Sequence, residues 1–104
     1  MSGFSPATRD EVVSRTRDKI TEPPMYKVLL HNDDYTTMDF VVEVLMGVFH
    51  KSFEEATMIM LSVHKTGTGV CGIYTYEIAE TKSEIIQEMA RDRGFPLKSS
   101  IEKA

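Results

Sequence analysis

The sequence predicts an α/β fold, an α+β two-layer sandwich in which a three-stranded antiparallel sheet packs against three helices in the order β-α-α-β-α-β. Three observations predict it. Short aliphatic, aromatic and β-branched runs read as strands. Apolar residues recur at helical spacing in the segments between these runs. Glycine, proline or a capping residue bounds most segments, and the 104 residues suit one domain.

The first 24 residues differ from the rest, because they are polar, mixed in charge and poor in core-forming side chains. They end in Pro23 and Pro24, which disfavour helix at their own positions and at the preceding residue. We therefore expect residues 1–24 to form a flexible N-terminal extension and residues 25–104 to form the folded core domain.

The first strand is expected at "MYKVLLH", and the first helix begins after the "HNDDY" cluster that follows it. Thr36 is expected to cap this helix, with Asp39 as the reciprocal acid of a capping box. The helix then has one apolar face. The residues of that face are Met38, Val41, Val42, Leu45 and Phe49.

A second helix is predicted from a stronger signal, since Ser52 and Glu55 have the spacing of a capping box and Gly67 is a plausible stop. Its apolar stripe comprises Ala56, Ile59, Met60 and Val63. The run "GVCGIYT" then predicts a second strand.

The third helix is expected from Tyr76 to Arg93, with Gly94 as its cap, and the last strand at "LKSSIEK". Arginines near the end of this helix suit the negative end of its dipole. We expect its inward positions to be Ile78, Ile85, Met89 and Ala90.

Composition and charge exclude several classes of protein. The formal net charge of −4 argues against nucleic acid as a partner, since domains that bind phosphate usually carry a basic stripe. No run is long and apolar enough for a membrane span, and no secretory signal is visible, so we expect a cytoplasmic protein. The single cysteine, Cys71, precludes an intramolecular disulfide and is expected to be a buried, inert thiol.

The cluster "HNDDY" supports two interpretations. Asn and Asp are common turn residues, and acids are favoured at helix N-termini, so the cluster could simply shape the strand-to-helix connection. Alternatively, its acceptor oxygens could hold a positive charge.

Four segments stand out when taken together: "YKVLLHNDDYTTMDFVVEVL", "ATMIMLSVHKTG", "CGIYTYEIAETK" and "PLKSSIEKA". Their combination resembles the ClpS family, the adaptors that bring N-end-rule substrates to the ClpAP protease. The resemblance covers essentially all of residues 25–104. It departs at Thr37, where many members have proline, and at His31, where an apolar residue is common. Since proline is pre-organised for the start of a helix, we expect Thr37 to soften that start slightly.

The resemblance implies an adaptor without catalysis or cofactor, which binds a free α-amino group followed by Leu, Phe, Tyr or Trp. By the same resemblance, Asn32, Asp33 and His64 would accept hydrogen bonds from the amino group. Asp34 would add negative potential and help to hold the loop. No metal is implied.

Beside this polar cluster, the resemblance implies an apolar pocket for the first side chain. Its lining residues would be Met38, Val41, Met60, Val63 and Leu97. Met38 would also act as a gate against β-branched side chains.

A second surface would meet the unfoldase. The resemblance implies that Glu77 and Lys82 contact the N-domain of ClpA, and that the chain acts as a monomer. Substrate N-terminal segments and this domain are the expected partners, with no nucleic acid and no membrane.

Two other functions remain open from the residues alone. A metal-dependent hydrolase could use His31, Asp33, Asp34 and His64, which are residue types that bind zinc. No H-E-x-x-H or CxxC spacing supports it, and no nucleophile with a paired base is evident. The third possibility is a purely structural interaction domain, similar in fold to the C-terminal domain of a ribosomal stalk protein.

Overall fold

The computed structural model describes residues 22–104. The predicted extension falls mostly on residues 1–21, which lie outside the described residues, while residues 22–24 are exposed and in no regular element. The elements are β1 (Met25–His31), α1 (Met38–Phe49), α2 (Phe53–Thr66), β2 (Thr68–Thr75), α3 (Tyr76–Arg93) and β3 (Lys98–Lys103). Their order confirms the predicted fold class.

The three strands form one antiparallel sheet in the order β2-β1-β3, so the first strand of the chain lies in the middle. Side chains alternate between the two faces of a strand. In β1, Val28 and Leu30 are fully buried, which identifies the face on which the helices pack. The end of β1 at His31 is held between Thr68 of β2 and Lys98 of β3.

The hydrophobic core lies between this face and the three helices. It comprises Val28, Leu30, Phe40, Val41, Val44, Leu45, Val48, Phe49, Ala56, Met60, Val63, Cys71, Ala79, Ile86, Ala90 and Leu97. Cys71 is fully buried, as predicted, and burial raises the pKa of its thiol to about 12. None of the helices in the described part of the chain is both long and apolar enough to span a bilayer.

The first helix begins one residue later than predicted. Its N-cap is Thr37, whose hydroxyl accepts a hydrogen bond from the Phe40 amide at 3.2 Å. The prediction that Thr36 caps the helix is wrong, because the Thr36 hydroxyl is bound to Asp33 instead. Position 37 is therefore the N-cap of the helix. Its threonine hydroxyl forms a capping hydrogen bond that proline could not form, because proline has no side-chain oxygen.

The second helix follows its prediction closely. Ser52 and Glu55 form the reciprocal capping box, and Gly67 ends the helix with φ at 92°, a left-handed conformation that suits glycine. Gly69, at the start of β2, allows a close approach to α2. A Cβ at this position would lie 2.6 Å from a methyl group of Val63.

The third helix has the predicted bounds, and Gly94 caps it with φ at 74°. Its predicted inward face is wrong in part, since Ile78 and Ile85 are 50% and 41% exposed. The buried positions are Ala79, Ser83, Ile86 and Ala90. Small side chains at three of these positions let the helix pack close to the sheet, and the Ser83 hydroxyl donates to Ser99 Oγ of β3 at 3.0 Å.

Candidate functional site

The loop between β1 and α1 is fastened to the end of α2. The Asn32 amide, directly after β1, donates a hydrogen bond of 2.9 Å to the carbonyl of Gly67. His64 lies one turn before Gly67, in the last turn of α2. This single backbone bond therefore brings the polar loop beside His64, although 32 positions separate Asn32 from His64 in the sequence.

A cavity of about 420 Å³ opens where the loop, the start of α1 and the end of α2 meet. It brings together all four predicted polar residues and four of the five predicted apolar residues. Its lining residues are Asn32, Asp33, Asp34, Tyr35, Thr36, Thr37, Met38, Val41, Met60, Val63 and His64.

Polar and apolar groups are separated within this cavity. Asn32, Asp34 and His64 are exposed, while Met60 and Val63 of the core form part of the wall. Met38, the first residue of α1, is 47% exposed. The cavity thus has buried apolar walls and solvent-exposed hydrogen-bonding groups, and Met38 contributes an adaptable apolar side chain that remains in contact with solvent.

Leu97 does not line this cavity, contrary to the prediction. It is buried and lines a separate cavity of about 390 Å³ with Ala90 and Phe95. The physical reason is its place in the chain, since the connection from α3 to β3 sets it against the last turns of α3. We therefore leave Leu97 out of the wall.

Asp33 holds the loop through three hydrogen bonds. Its Oδ1 accepts from the amides of Tyr35 and Thr36 at 2.8 and 2.7 Å, and its Oδ2 accepts from the Thr36 hydroxyl at 2.6 Å. A carboxylate offers about four lone-pair sites, so Asp33 keeps one acceptor for a ligand. The loop-holding role implied for Asp34 is therefore carried by Asp33.

These bonds also shift the pKa of Asp33. Partial burial alone would raise this pKa, but the hydrogen bonds from the Thr36 hydroxyl and the two loop amides outweigh it and lower the pKa below its ordinary value of 3.8. Because the folded loop favours the carboxylate, Asp33 stabilises the fold above about pH 4, and this contribution is lost as the pH falls further.

We expect Asp33→Asn to lower the free energy of unfolding at neutral pH by about 1 kcal/mol, since the acceptor loses its charge and one of its oxygens. The difference from wild type should shrink below about pH 4, where the wild-type carboxyl also becomes protonated. Urea unfolding at several pH values measures it. Asp34→Asn is the matched control, because the Asp34 carboxylate accepts no hydrogen bond from residues 22–104. A pH-independent difference for Asp33→Asn would contradict this account.

The other acceptors have unused capacity. Within residues 22–104, neither the Asn32 side chain nor the His64 imidazole makes a hydrogen bond to another protein group. An amide oxygen and a ring nitrogen are thus available to a ligand, together with the remaining lone pair of Asp33.

The residues offered by the hydrolase alternative do not form a metal centre. Among the described residues, no three His, Cys, Asp or Glu side chains come together in an arrangement that could hold a metal ion. The His31 ring instead pairs with Ser100 Oγ across the sheet at 2.6 Å. Nothing in this geometry favours the hydrolase.

Comparisons with known proteins bear on the same part of the chain. The family model described as "ATP-dependent Clp protease adaptor protein ClpS" matches residues 21–100. The chain belongs to the ClpS family. The ClpS adapter protein of Desulforapulum autotrophicum is 53% identical over 99% of both chains. That of Oleidesulfovibrio alaskensis is 52% identical, also over 99% of both.

A solved structure shares the fold of this ClpS-family chain. It is that of Agrobacterium tumefaciens ClpS2 bound to L-phenylalaninamide, which is 37% identical and has a TM-score of 0.77. The match covers 80% of the present chain and all of the other. Because the family consists of protease adaptors, the prediction of an adaptor rather than an enzyme is confirmed. The hydrolase and stalk-like alternatives receive no support.

Within this ClpS-family site, sequence reasoning missed Thr36, whose hydroxyl and amide both bind Asp33. The signal was present, since Asp followed by Thr three positions later at the end of a strand is a typical side-chain-to-backbone turn. Sequence reasoning assigned Thr36 to the helix cap, for which Thr37 was equally suited.

The two residues implied for the unfoldase contact lie in different environments. Glu77 is exposed in the first turn of α3. Lys82 is partly buried, and its Nζ donates to the Val48 carbonyl at 2.7 Å. The same ammonium group lies 5.6 and 5.2 Å from the ring centroids of Phe49 and Tyr74. Lys82 therefore has an intramolecular role at the end of α1.

Proposed function

We propose that this chain binds the free α-amino group and the large apolar first side chain of a substrate protein, and delivers that substrate to the ClpA unfoldase of ClpAP. The observation that carries the proposal is the convergence of unused acceptors on Asn32 and His64 with an apolar wall in one cavity. The ligand of the Agrobacterium ClpS2 structure, L-phenylalaninamide, supports it, since that molecule joins a free amino group to an aromatic side chain.

The amino terminus of a protein is chemically distinct from every internal amide. Its pKa is about 7.7–8.0, so it is mostly cationic at neutral pH and donates three hydrogen bonds. An internal amide donates one and carries no charge. Asn32, Asp33 and His64 together offer the acceptors that such a group needs, and Asp34 adds negative potential at the mouth.

The apolar wall accounts for selection of the first side chain. Met38, Val41, Met60 and Val63 line the cavity from two helices, so a Leu, Phe, Tyr or Trp side chain leaves water when it enters. Its burial contributes about 1.5–3 kcal/mol, and each charge-assisted hydrogen bond contributes about 1.5–3 kcal/mol. Three such hydrogen bonds and one side chain together contribute about 6–12 kcal/mol before the entropy cost of binding, compared with roughly 8 kcal/mol for a micromolar complex.

Further parts of the proposal concern delivery. Glu77 and Lys82 of α3 are proposed to contact the N-domain of ClpA; Glu77 is exposed, while Lys82 is partly buried and also donates to the Val48 carbonyl. We also propose that residues 1–24 form an extension apart from the adaptor core at 25–104, and that the protein acts as a cytoplasmic monomer.

Titration of short peptides that differ only in their first residue tests the proposal. Peptides beginning with Leu, Phe, Tyr or Trp should bind with micromolar or better affinity, and one beginning with Ala should bind at least about tenfold more weakly, because the wall stays unfilled. Fluorescence anisotropy or calorimetry measures this, with a chelator present throughout. Equal affinity for Ala and Leu peptides would contradict the proposed pocket.

His64→Ala is expected to weaken the binding of a Leu-initiated peptide by about tenfold, since one acceptor of the ammonium is lost. The melting temperature should change little, because the imidazole is exposed and makes no hydrogen bond within residues 22–104. His50→Ala serves as a comparison, since His50 is also exposed but does not line the cavity. A collapse of stability in His64→Ala would mean that the imidazole is structural.

A further inference from the structure

A second, larger depression runs between α1 and α2. It has a volume of about 700 Å³ and lies on the solvent side of both helices. Its lining residues are Met38, Asp39, Val42, Glu43, Met46, Gly47, Phe53, Thr57 and Met60. Met46 and Phe53 are 40% and 64% exposed, so the groove presents large apolar side chains to water.

The groove is continuous with the amine cavity. Met38 and Met60 line both, so a ligand whose first side chain occupies the cavity lies directly beside the groove. Side chains of an extended peptide alternate, and residues one and three therefore point to the same side about 7 Å apart. We therefore expect the third side chain of such a peptide to reach the groove and the second to point away from it.

The charged residues that line the groove indicate which kinds of side chain it can accept. Asp39 and Glu43 line it, and neither lysine nor arginine does. Glu43 is paired with Arg93 at 2.7 Å, while Asp39, which follows the shared Met38 in sequence, has no ion-pair partner within residues 22–104. An acidic third side chain would face like charge without a compensating cation, while an apolar one would cover exposed methionine and phenylalanine.

We propose that this groove is a second subsite, which takes an apolar side chain at the third residue of the substrate. The inference rests on the proposed function, because the amine cavity sets the position and direction of the peptide. The chain would then select substrates by two side chains, the first through the deep cavity and the third through an open, methionine-rich surface that adapts to different shapes.

Three peptides that all begin with free Leu test this on the full chain. They carry Leu, Ala or Asp at the third residue and Ala at the second. The peptide with Leu should bind about fivefold more tightly than that with Ala, since an open groove buries only part of the side chain, and the peptide with Asp should bind most weakly.

Two variants remove the subsite while leaving the amine cavity intact. Gly47→Leu fills the groove, and folding is preserved because a Cβ at Gly47 meets nothing within 4 Å and leucine favours helix. Phe53→Ser removes an exposed wall residue at the first position of α2. Met58→Ser is the matched control, since Met58 is 69% exposed on the same helix but does not line the groove.

The expected result is that Gly47→Leu and Phe53→Ser bind the Leu peptide no more tightly than the Ala peptide, while Met58→Ser keeps the preference for Leu. The Asp peptide should remain the weakest ligand of all the variants, because each retains Asp39. Equal wild-type affinity for the Leu and Ala peptides overturns the inference but not the proposed function. A preference that survives in both groove variants also overturns it. A third outcome also overturns the inference. If wild type is a dimer in sedimentation, and both variants dissociate that dimer without changing the peptide preference, the groove is a contact between copies of the chain. Failure of all three peptides to bind wild type refutes the proposed function itself.

Discussion

Acetylation of the amino terminus of a Leu-initiated peptide is expected to weaken its binding by at least about 100-fold. The modification removes the positive charge and two of the three donors. The acceptors of Asn32, Asp33 and His64, which a bound peptide covers, are then left without these donors, and each loss of this kind costs about 1–3 kcal/mol. The leucine side chain still enters the cavity, but its burial alone does not offset the cost of immobilising the peptide.

Competition titration against a fluorescent Leu-initiated peptide measures this loss directly. The control is the same unacetylated peptide with a blocked carboxyl terminus, which should bind as the parent does because only the amino end is recognised. Equal affinities for acetylated and free peptides would mean that the cavity binds an apolar side chain only. The acceptors at its mouth would then serve only to shape the loop.

Lys82→Met is expected to lower the free energy of unfolding by about 2 kcal/mol. The substitution keeps most of the aliphatic stem but removes the charged donor to the Val48 carbonyl near the end of α1. It also removes the cation from beside the rings of Phe49 and Tyr74. We expect an effect smaller than the sum of the hydrogen-bond and cation–π contributions, because Lys82 is only partly buried and solvent weakens each of them.

Urea unfolding measures the change, and Lys65→Met is the matched control, since Lys65 is exposed on α2 and makes no hydrogen bond within residues 22–104. Two outcomes discriminate between roles. If Lys82→Met is destabilised and the folded protein still binds the ClpA N-domain, Lys82 is structural. If stability matches that of Lys65→Met while ClpA binding is lost, the contact implied by family resemblance is right and the intramolecular role is minor.

Local signals were sufficient to predict most elements of the fold. The capping box of Ser52 and Glu55 and the stops at Gly67 and Gly94 each act within a few residues, so the bounds of α2 and α3 were readable from the sequence. The start of α1 was less certain, because Thr36 and Thr37 are adjacent and both can cap a helix. Their roles are decided by Asp33, which binds Thr36.

Packing against the sheet was harder to predict. On α3 the predicted inward residues included Ile78 and Ile85, yet the buried stripe lies one residue later, at Ala79, Ser83, Ile86 and Ala90. Small residues permit a closer approach of helix and sheet, and hydrophobicity alone does not predict this closer packing. The contact of Lys82 with the Val48 carbonyl was not predicted, since the two residues lie 34 positions apart in the chain. Leu97 was misplaced for another reason, because the connection from α3 to β3 sets it beside the last turns of α3.

The sequence was sufficient to predict which polar residues gather at the candidate site, but not which role each of them has. The sequence shows Asn32, Asp33 and Asp34 together, and the resemblance adds His64. Only the geometry shows that Asp33 spends most of its acceptor capacity on the loop. Two neighbouring carboxylates that look equivalent in sequence thus differ in hydrogen bonding, which depends on the turn that follows them.

The fully buried position of Cys71 has a practical consequence for labelling. Cys71 is the single cysteine of the chain. Because burial raises its pKa to about 12, the thiol keeps its proton at neutral pH, and burial also shields it from maleimide reagents while the domain is folded. A fluorophore attached through a second cysteine, introduced on the surface, would therefore mark one known position without first removing the native thiol. The slow modification of Cys71 itself would report how often the whole domain opens.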